Sequence, residues 1–409
     1  MRVLFSATAG DGHFYPLLPL AQALRAQGDD VAFAMSPEYT QRLEAAGFSW
    51  FASGVDTAEL SARLVSKLSE LPHHRSPDYM PFIISQRYAV GDAPDRLADL
   101  LAICTTWKPD LIVFESCDLA GPIAAAALGI AGVHHSFGRA LAAECYQRSA
   151  PYLQPLWQKV GCDMPPLCGM YAGSFVDLCP PSLQSQGVPV TATVYPLRTN
   201  AGSADTPPDW LRKLPDRPSV YVTLGTIFND VKRLRLLLEA FAHEDVNVVM
   251  TTGRDRDPIE LGPHPANASV HQFVPQHLLL PHVQALVTHA GSGSMLAALS
   301  HGVPMVMLPL GADQFDNATA CHALDLARIL PPEELNVDRA REELSTVLLT
   351  PNYAHNAEKM AREISAMPDS GKVAEEIRTS GGWGSAGKRS ATQSTGELGR
   401  RVQQQEAAQ

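Results

Sequence analysis

No stretch of this sequence has the apolar length needed to cross a bilayer, and the opening MRVLF, cut by Ser6 and Gly10, is too short for the core of a secretory signal. Cysteines are few and form no pattern. There are seven, an odd number, with no C-x-x-C among them, which speaks against a disulfide framework and against a zinc site. Positive charge is also scarce: 32 Lys and Arg against 43 Asp and Glu leave a net charge of −11. A nucleic-acid groove or an anionic membrane surface is therefore not an expected partner. What remains is the expectation of a soluble, cytoplasmic protein in which any anionic ligand is held by local features.

The 409 residues have room for two domains with sizeable cores. Short β-rich runs alternate with helical patterns: RVLFSA precedes PLLPLAQALRAQG, DVAFAM precedes PEYTQRLEAAG, and PDLIVFES precedes LAGPIAAAALG, with AGVHHS close behind. The runs are nearly continuous in apolar residues, as in parallel strands covered on both faces, and Gly28, Gly47 and Gly129 sit where helix C-caps belong. A doubly wound α/β domain over residues 1–200 is predicted. Proline-rich polar text between Tyr195 and Pro218 marks a linker, placed at 201–217, after which SVYVTLG, VNVVMTT, ALVTHA and PMVMLPL restart the alternation in a second α/β domain over 218–378. Ser53–Trp107 reads as a helical insertion over the ligand face. Residues 379–409, rich in Gly, Ser and Gln, read as a disordered tail.

Chemistry is written most densely at Thr288–Pro304, THAGSGSMLAALSHGVP, where a strand end, a glycine-rich turn and a helix start follow one another. Unpaired N–H groups of Gly291, Ser292, Gly293 and Ser294, together with the helix dipole, would hold a diphosphate. Just past the next strand, Asp313 and Gln314 can hydrogen-bond several hydroxyls of one sugar ring, or cap the helix that follows. His13, on the first strand-to-helix turn, is a candidate general base because histidine titrates near neutrality. A base histidine needs an acid on its other nitrogen; Glu115 at a strand end ranks first and Asp118, also a natural helix cap, is its rival. The pairs His73/His74 and His134/His135 lack metal-ligand spacing and are expected to pack or face solvent. No metal site is expected, the second half being read as free of a D-x-D cluster placed against the diphosphate.

Taken together, GHFYPLLPLAQAL, VYPLR, VTLGT and FVPQHLLLPHVQALVTHAGSGSMLAALSHGVPMVMLPLGADQFDNA resemble the GT-B glycosyltransferases that decorate natural products in actinobacteria, over residues 1 to about 378. The resemblance implies two Rossmann-like domains facing a cleft, acceptor side first, with the last helix packing back on the first domain. It implies that His289 and the Gly291–Ser294 turn hold the diphosphate, with Thr226 adding a hydroxyl. Val274 and Gln276 would bracket the nucleobase, Asp313 and Gln314 would grip the sugar, and His13 would serve as base. Where many UDP-sugar relatives carry a glutamate that binds the ribose hydroxyls, this chain has Ala297, which favours a dTDP-deoxyhexose over UDP-glucose. The implied reaction is a metal-independent inverting transfer to a hydroxyl of a small hydrophobic aglycone (macrolide, enediyne or polyketide), with no cofactor beyond the dTDP- or UDP-sugar co-substrate. The acceptor pocket would draw on Tyr79, Phe82 and Phe137, with Tyr88 and Tyr146 as further aromatic candidates. The chain would act as a monomer or homodimer. A sugar-nucleotide epimerase and a non-catalytic sugar-nucleotide-binding homologue remain open at this point.

Overall fold

The computed structural model describes residues 1–185, 193–199, 206–225 and 229–379. Residues 201–205 of the expected linker and 380–409 of the expected tail lie outside them. The described residues form two all-parallel sheets. The first has the order β3-β2-β1-β4-β5-β6-β7, with β1 (Arg2–Ser6), β2 (Asp30–Met35), β3 (Ser49–Ala52), β4 (Leu111–Glu115), β5 (Ala131–His135), β6 (Ser174–Asp177) and β7 (Val194–Pro196). The second runs β10-β9-β8-β11-β12-β13, with β8 (Ser219–Thr223), β9 (Asn247–Thr251), β10 (Ala268–His271), β11 (Ala285–Thr288), β12 (Met305–Met307) and β13 (Ala327–Ile329). In each, the order reverses beside the first strand, between β1 and β4 and between β8 and β11, and such a reversal opens a crevice at the carboxyl ends of the strands.

The apolar runs are continuous because each sheet is covered on both sides. Val3 and Phe5 of β1 enter one core cluster and Leu4 another; Val220 and Val222 of β8 separate from Tyr221 in the same way. Gly28, Gly47 and Gly129 each take positive φ just past a helix, as expected of C-caps. The Ser53–Trp107 stretch is helical, with Thr57–Val65, Tyr79–Ile83 and Ala93–Trp107 as α-helices and Ile84–Val90 wound as a π-helix. No helix among the described residues is long and apolar enough to cross a membrane.

The last helix among the described residues, Ser370–Thr379, crosses back to the first sheet. Its Val373, Ala374 and Ile377 are fully buried in the cluster that holds Leu20, Ala21 and Leu24 of the helix Leu18–Ala26. Gln27 Nε2 donates to Gly371 O at 2.8 Å, and Arg378 Nε lies 3.4 Å from the buried Asp29 carboxylate. The same apolar cluster continues through Leu183, Met360 and Ile364 to Leu286 and Met305 of the second sheet, so one core ties the halves together. Ile377→Ala, which deletes a fully buried side chain, is expected to cost about 2–5 kcal/mol, read by urea denaturation; a variant of wild-type stability would show that the helix does not depend on this contact.

Candidate functional site

The site begins at the carboxyl end of β4. Glu115 is completely buried, and both oxygens are engaged: Oε1 accepts from Thr8 N (3.2 Å) and Thr8 Oγ1 (2.9 Å), Oε2 from Cys117 N (2.7 Å), and His13 Nδ1 lies 3.1 Å from Oε2. Burial alone pushes the carboxyl pKa up, but His13 and these donors outweigh it, and the pKa falls below the ordinary carboxylate value. Glu115 is therefore ionised, and a neutral His13 that donates from Nδ1 to Oε2 carries its lone pair on Nε2. Gly10 permits the approach: at φ 153° it passes so close that a Cβ there would lie 2.6 Å from His13 Cδ2.

Two aromatic rings close around the imidazole. Phe137 meets it edge-on with centroids 5.2 Å apart, and Tyr88 at 5.7 Å, with the Tyr88 hydroxyl 3.3 Å from Nε2. The His13 side chain keeps 15% of its surface exposed. Tyr88 stood in the sequence only as a possible pocket aromatic, and nothing local ties it to a histidine 75 residues away. Asp118 turns elsewhere. Its Oδ1 accepts from Ala120 N (3.1 Å) and Gly121 N (3.0 Å) at the start of the helix Gly121–Leu128, and burial, opposed by Arg96, pushes its pKa up to about 6. The rival acid is thus a helix cap, and the carboxylate against His13 is Glu115.

The second half of the site surrounds the helix Ser292–Ser300. Its first bonded donor is Met295 N, which reaches Gly291 O at 3.0 Å, so the N–H groups of Ser292, Gly293 and Ser294 have no intrahelical acceptor. His289 lies between two glycines that leave no room for a side chain: a Cβ on Gly225 would approach its ring to 2.6 Å and one on Gly291 to 2.5 Å. Burial draws the His289 pKa down to about 4, so the imidazole facing this turn is neutral. Thr226 lies outside the described residues. Gln276 Nε2 donates to Ser294 Oγ at 2.9 Å, and Val274 is buried in the core.

Asp313 stands at the start of the helix Gln314–Ala323 without capping it. Its Oδ2 accepts from Ser292 Oγ (2.6 Å) and from Asn317 Nδ2 (2.9 Å), and Asn317 also donates to Ala290 O (3.0 Å). Sequence reasoning passed over Asn317; its signal was the i, i+4 spacing from Asp313 on one helix face. The Gln314 amide folds inward, its oxygen accepting from Leu310 N (2.7 Å) and Gly311 N (3.0 Å), which leaves only the NH2 group to turn outward.

Contacts from the first half reach this corner. Gly138 passes so near Ser292 that a Cβ there would overlap the hydroxyl, and Arg139 Nη1 donates to Asp316 O at 3.1 Å. His74 stacks on Phe315 at 4.3 Å, Tyr79 meets the same ring edge-on at 6.4 Å, and Arg75 pairs with Glu333. Of the expected acceptor aromatics, Phe137 and the half-buried Tyr79 border this space, whereas Phe82 is 2% exposed and belongs to the core of the insertion. His134 and His135 are buried, and burial draws their pKa values down to about 3 and about 4; they are packed, neutral groups. Tyr146 is fully buried as well.

Among the described residues, one group of potential metal ligands comes together: His13, Glu115 and Cys117. The donor set fits an ion poorly, because both Glu115 oxygens are already saturated by N–H and O–H donors and burial holds the Cys117 thiol protonated. The letters D-x-D do occur in the second half, at Asp255–Arg256–Asp257, contrary to expectation. There Asp257 caps a short 3-10 turn through Ile259 N at 2.9 Å, and Arg256 pairs with Glu260 at 2.8 Å.

Residues 22–225 match the N-terminal domain, and residues 235–379 the C-terminal domain, described as erythromycin biosynthesis protein CIII-like. Among curated proteins, L-demethylnoviosyl transferase of Streptomyces niveus is 32% identical over 92% of this chain and 97% of its own. TDP-daunosamine transferase DnrS of Streptomyces peucetius is 28% identical over 91% and 95%. Among solved structures, the glycosyltransferase VinC in complex with dTDP superposes with a TM-score of 0.75 at 27% identity, over 92% of this chain and 99% of that one. SnogD from Streptomyces nogalater gives 0.73 at 25%, over 93% and 99%. The fold is GT-B.

Gly138→Ala is expected to hold the two halves apart by forcing its loop off Ser292, which small-angle scattering would read as a larger radius of gyration. An unchanged radius would mean that the loop yields locally.

Proposed function

Because the chain belongs to the erythromycin biosynthesis protein CIII-like family of natural-product glycosyltransferases, we propose that it moves a deoxyhexose from a dTDP-sugar to a hydroxyl of a hydrophobic aglycone, with inversion and with His13 as general base. The observation that carries this reading is the Glu115–His13 pair: a buried carboxylate 3.1 Å from Nδ1 of a partly exposed imidazole. Family membership sets the epimerase reading aside.

In the proposed step the acceptor oxygen forms its bond to the anomeric carbon while its proton passes to His13 Nε2. The bond from that carbon to the diphosphate oxygen breaks, and the electron pair leaves with the diphosphate. Charge developing there meets the free N–H groups of Ser292, Gly293 and Ser294 and the helix dipole. Glu115, already ionised, stabilises the imidazolium without taking its proton. The charge is met by backbone donors and the neutral His289, so this reading draws on no metal ion. Asp313 keeps Oδ1 for a sugar hydroxyl, and Gln314 contributes its NH2 group as a donor.

The dTDP preference rests on Ala297, a residue without a carboxylate where the ribose 2′-hydroxyl of a UDP-sugar would need an acceptor; a UDP-sugar donor is the second reading. Comparing dTDP- and UDP-hexoses against a panel of polyketide aglycones, with the anomeric configuration of the product read by NMR, tests donor and stereochemistry together. Retention, or faster turnover of the UDP series, would sink the corresponding part.

His13→Ala is expected to lower kcat by about 10²–10⁴-fold while the dTDP affinity measured by calorimetry stays as it was; wild-type turnover would remove His13 from the mechanism. Glu115→Gln should lower kcat by a large factor, whereas Asp118→Asn, which keeps the capping oxygen, should alter stability and leave turnover in place. Loss of turnover only in the Asp118 variant would reverse their roles.

A further inference from the structure

The lone pair required of His13 Nε2 is not empty in the free protein. Tyr88 reaches it from the π-helix Ile84–Val90, with its hydroxyl 3.3 Å from Nε2. The polarity of the contact is settled by its neighbours. In the neutral imidazole that donates from Nδ1 to Glu115, Nε2 accepts. Burial, only partly opposed by the nearby Arg87, holds the Tyr88 hydroxyl protonated, so toward a bare Nε2 it is the donor.

Tyr88 is not a passing neighbour. The residue is 8% exposed and packs in the cluster of Leu4, Phe114 and Leu97, which holds its ring beside the imidazole. π-Helical winding is rare and concentrates at functional sites; here it occupies the segment that delivers this hydroxyl. At 3.3 Å the bond is longer than a well-made hydroxyl hydrogen bond, so a better-placed donor can displace it.

We propose that Tyr88 is a positioning residue that caps the base until an acceptor hydroxyl arrives, and that its purpose is to keep water from taking the acceptor's place. The reaction it suppresses is donor hydrolysis: a water proton passes to His13 Nε2, the water oxygen bonds to the anomeric carbon, and the carbon–diphosphate bond breaks to free hexose and nucleoside diphosphate. Water is small and abundant but binds with one oxygen; an aglycone anchored by its whole body can place its hydroxyl against Nε2 and displace the weak cap. The proposal rests on His13 being the base.

The test compares wild type with Tyr88→Phe, which keeps the buried ring and removes only the hydroxyl. Nucleoside diphosphate release is measured without acceptor from dTDP-glucose and UDP-glucose, using whichever the wild type turns over faster. Release should rise about tenfold, the effect of one lost hydrogen bond on the competing reaction, and the ratio of hydrolysis to transfer should rise with it. Release at or below the wild-type rate overturns the proposal. A fall in transfer without a gain in hydrolysis overturns it too, because Tyr88 would then be passing the acceptor proton rather than capping the base. In the free protein, the His13 Nε2 signal in a 15N spectrum should move toward that of an unbonded imidazole nitrogen in Tyr88→Phe; an unmoved signal also overturns it. The hydrolytic gain should vanish in the His13→Ala, Tyr88→Phe double variant, and a gain that persists contradicts the cap. Failure of the base assignment is read separately, from His13→Ala alone in the transfer assay.

Discussion

The site depends on one buried negative charge. A carboxylate taken wholly out of water is tolerated only when each lone pair is met, and Glu115 meets its requirement with Thr8 N, Thr8 Oγ1, Cys117 N and His13. These groups come from the turn after β1 and the turn after β4, adjacent strands at the point where the sheet order reverses. The topology thus supplies the two backbone donors, Thr8 N and Cys117 N, before any side chain is chosen. Moving the acid to Asp118 would not serve, because the free N–H groups of Ala120 and Gly121 claim that carboxyl first.

On the other side, the constraint is space. Gly225 and Gly291 flank the His289 ring, and Gly138 lies against Ser292, so bare backbone allows histidine, helix terminus and opposing loop to come close together. Asn317 then locks Asp313 to Ser292 and to Ala290 O. The turn that offers its N–H groups is therefore held by side chains from the next crossover helix, which couples the Ser292 turn to the start of the helix Gln314–Ala323.

Much of this was legible in the sequence. Two α/β halves could be read from long apolar runs because central parallel strands are covered on both faces. The strands not read, β3, β6, β7, β10 and β13, are three or four residues long, and four of them stand at sheet edges, where ASVH of β10 is only half-buried along its length. Edge strands carry too few apolar letters to stand out. The His13 turn and the glycine turn were visible because they are local patterns. Tyr88 was not visible as a partner of His13, since a contact across 75 residues leaves no periodic trace. Nor could composition show that the Gln314 amide oxygen is spent on Leu310 and Gly311.

The returning helix Ser370–Thr379 carries a lesson for anyone recombining such proteins. By chain order it belongs to the second half, but by packing and by the Arg378–Asp29 pair it belongs to the first. A hybrid spliced once, in the connection between the sheets, would dock a foreign helix against Leu20, Ala21 and Leu24 and leave a buried aspartate beside a mismatched partner. Exchange of the second half between relatives is therefore a two-crossover operation, with the second junction placed just before Ser370.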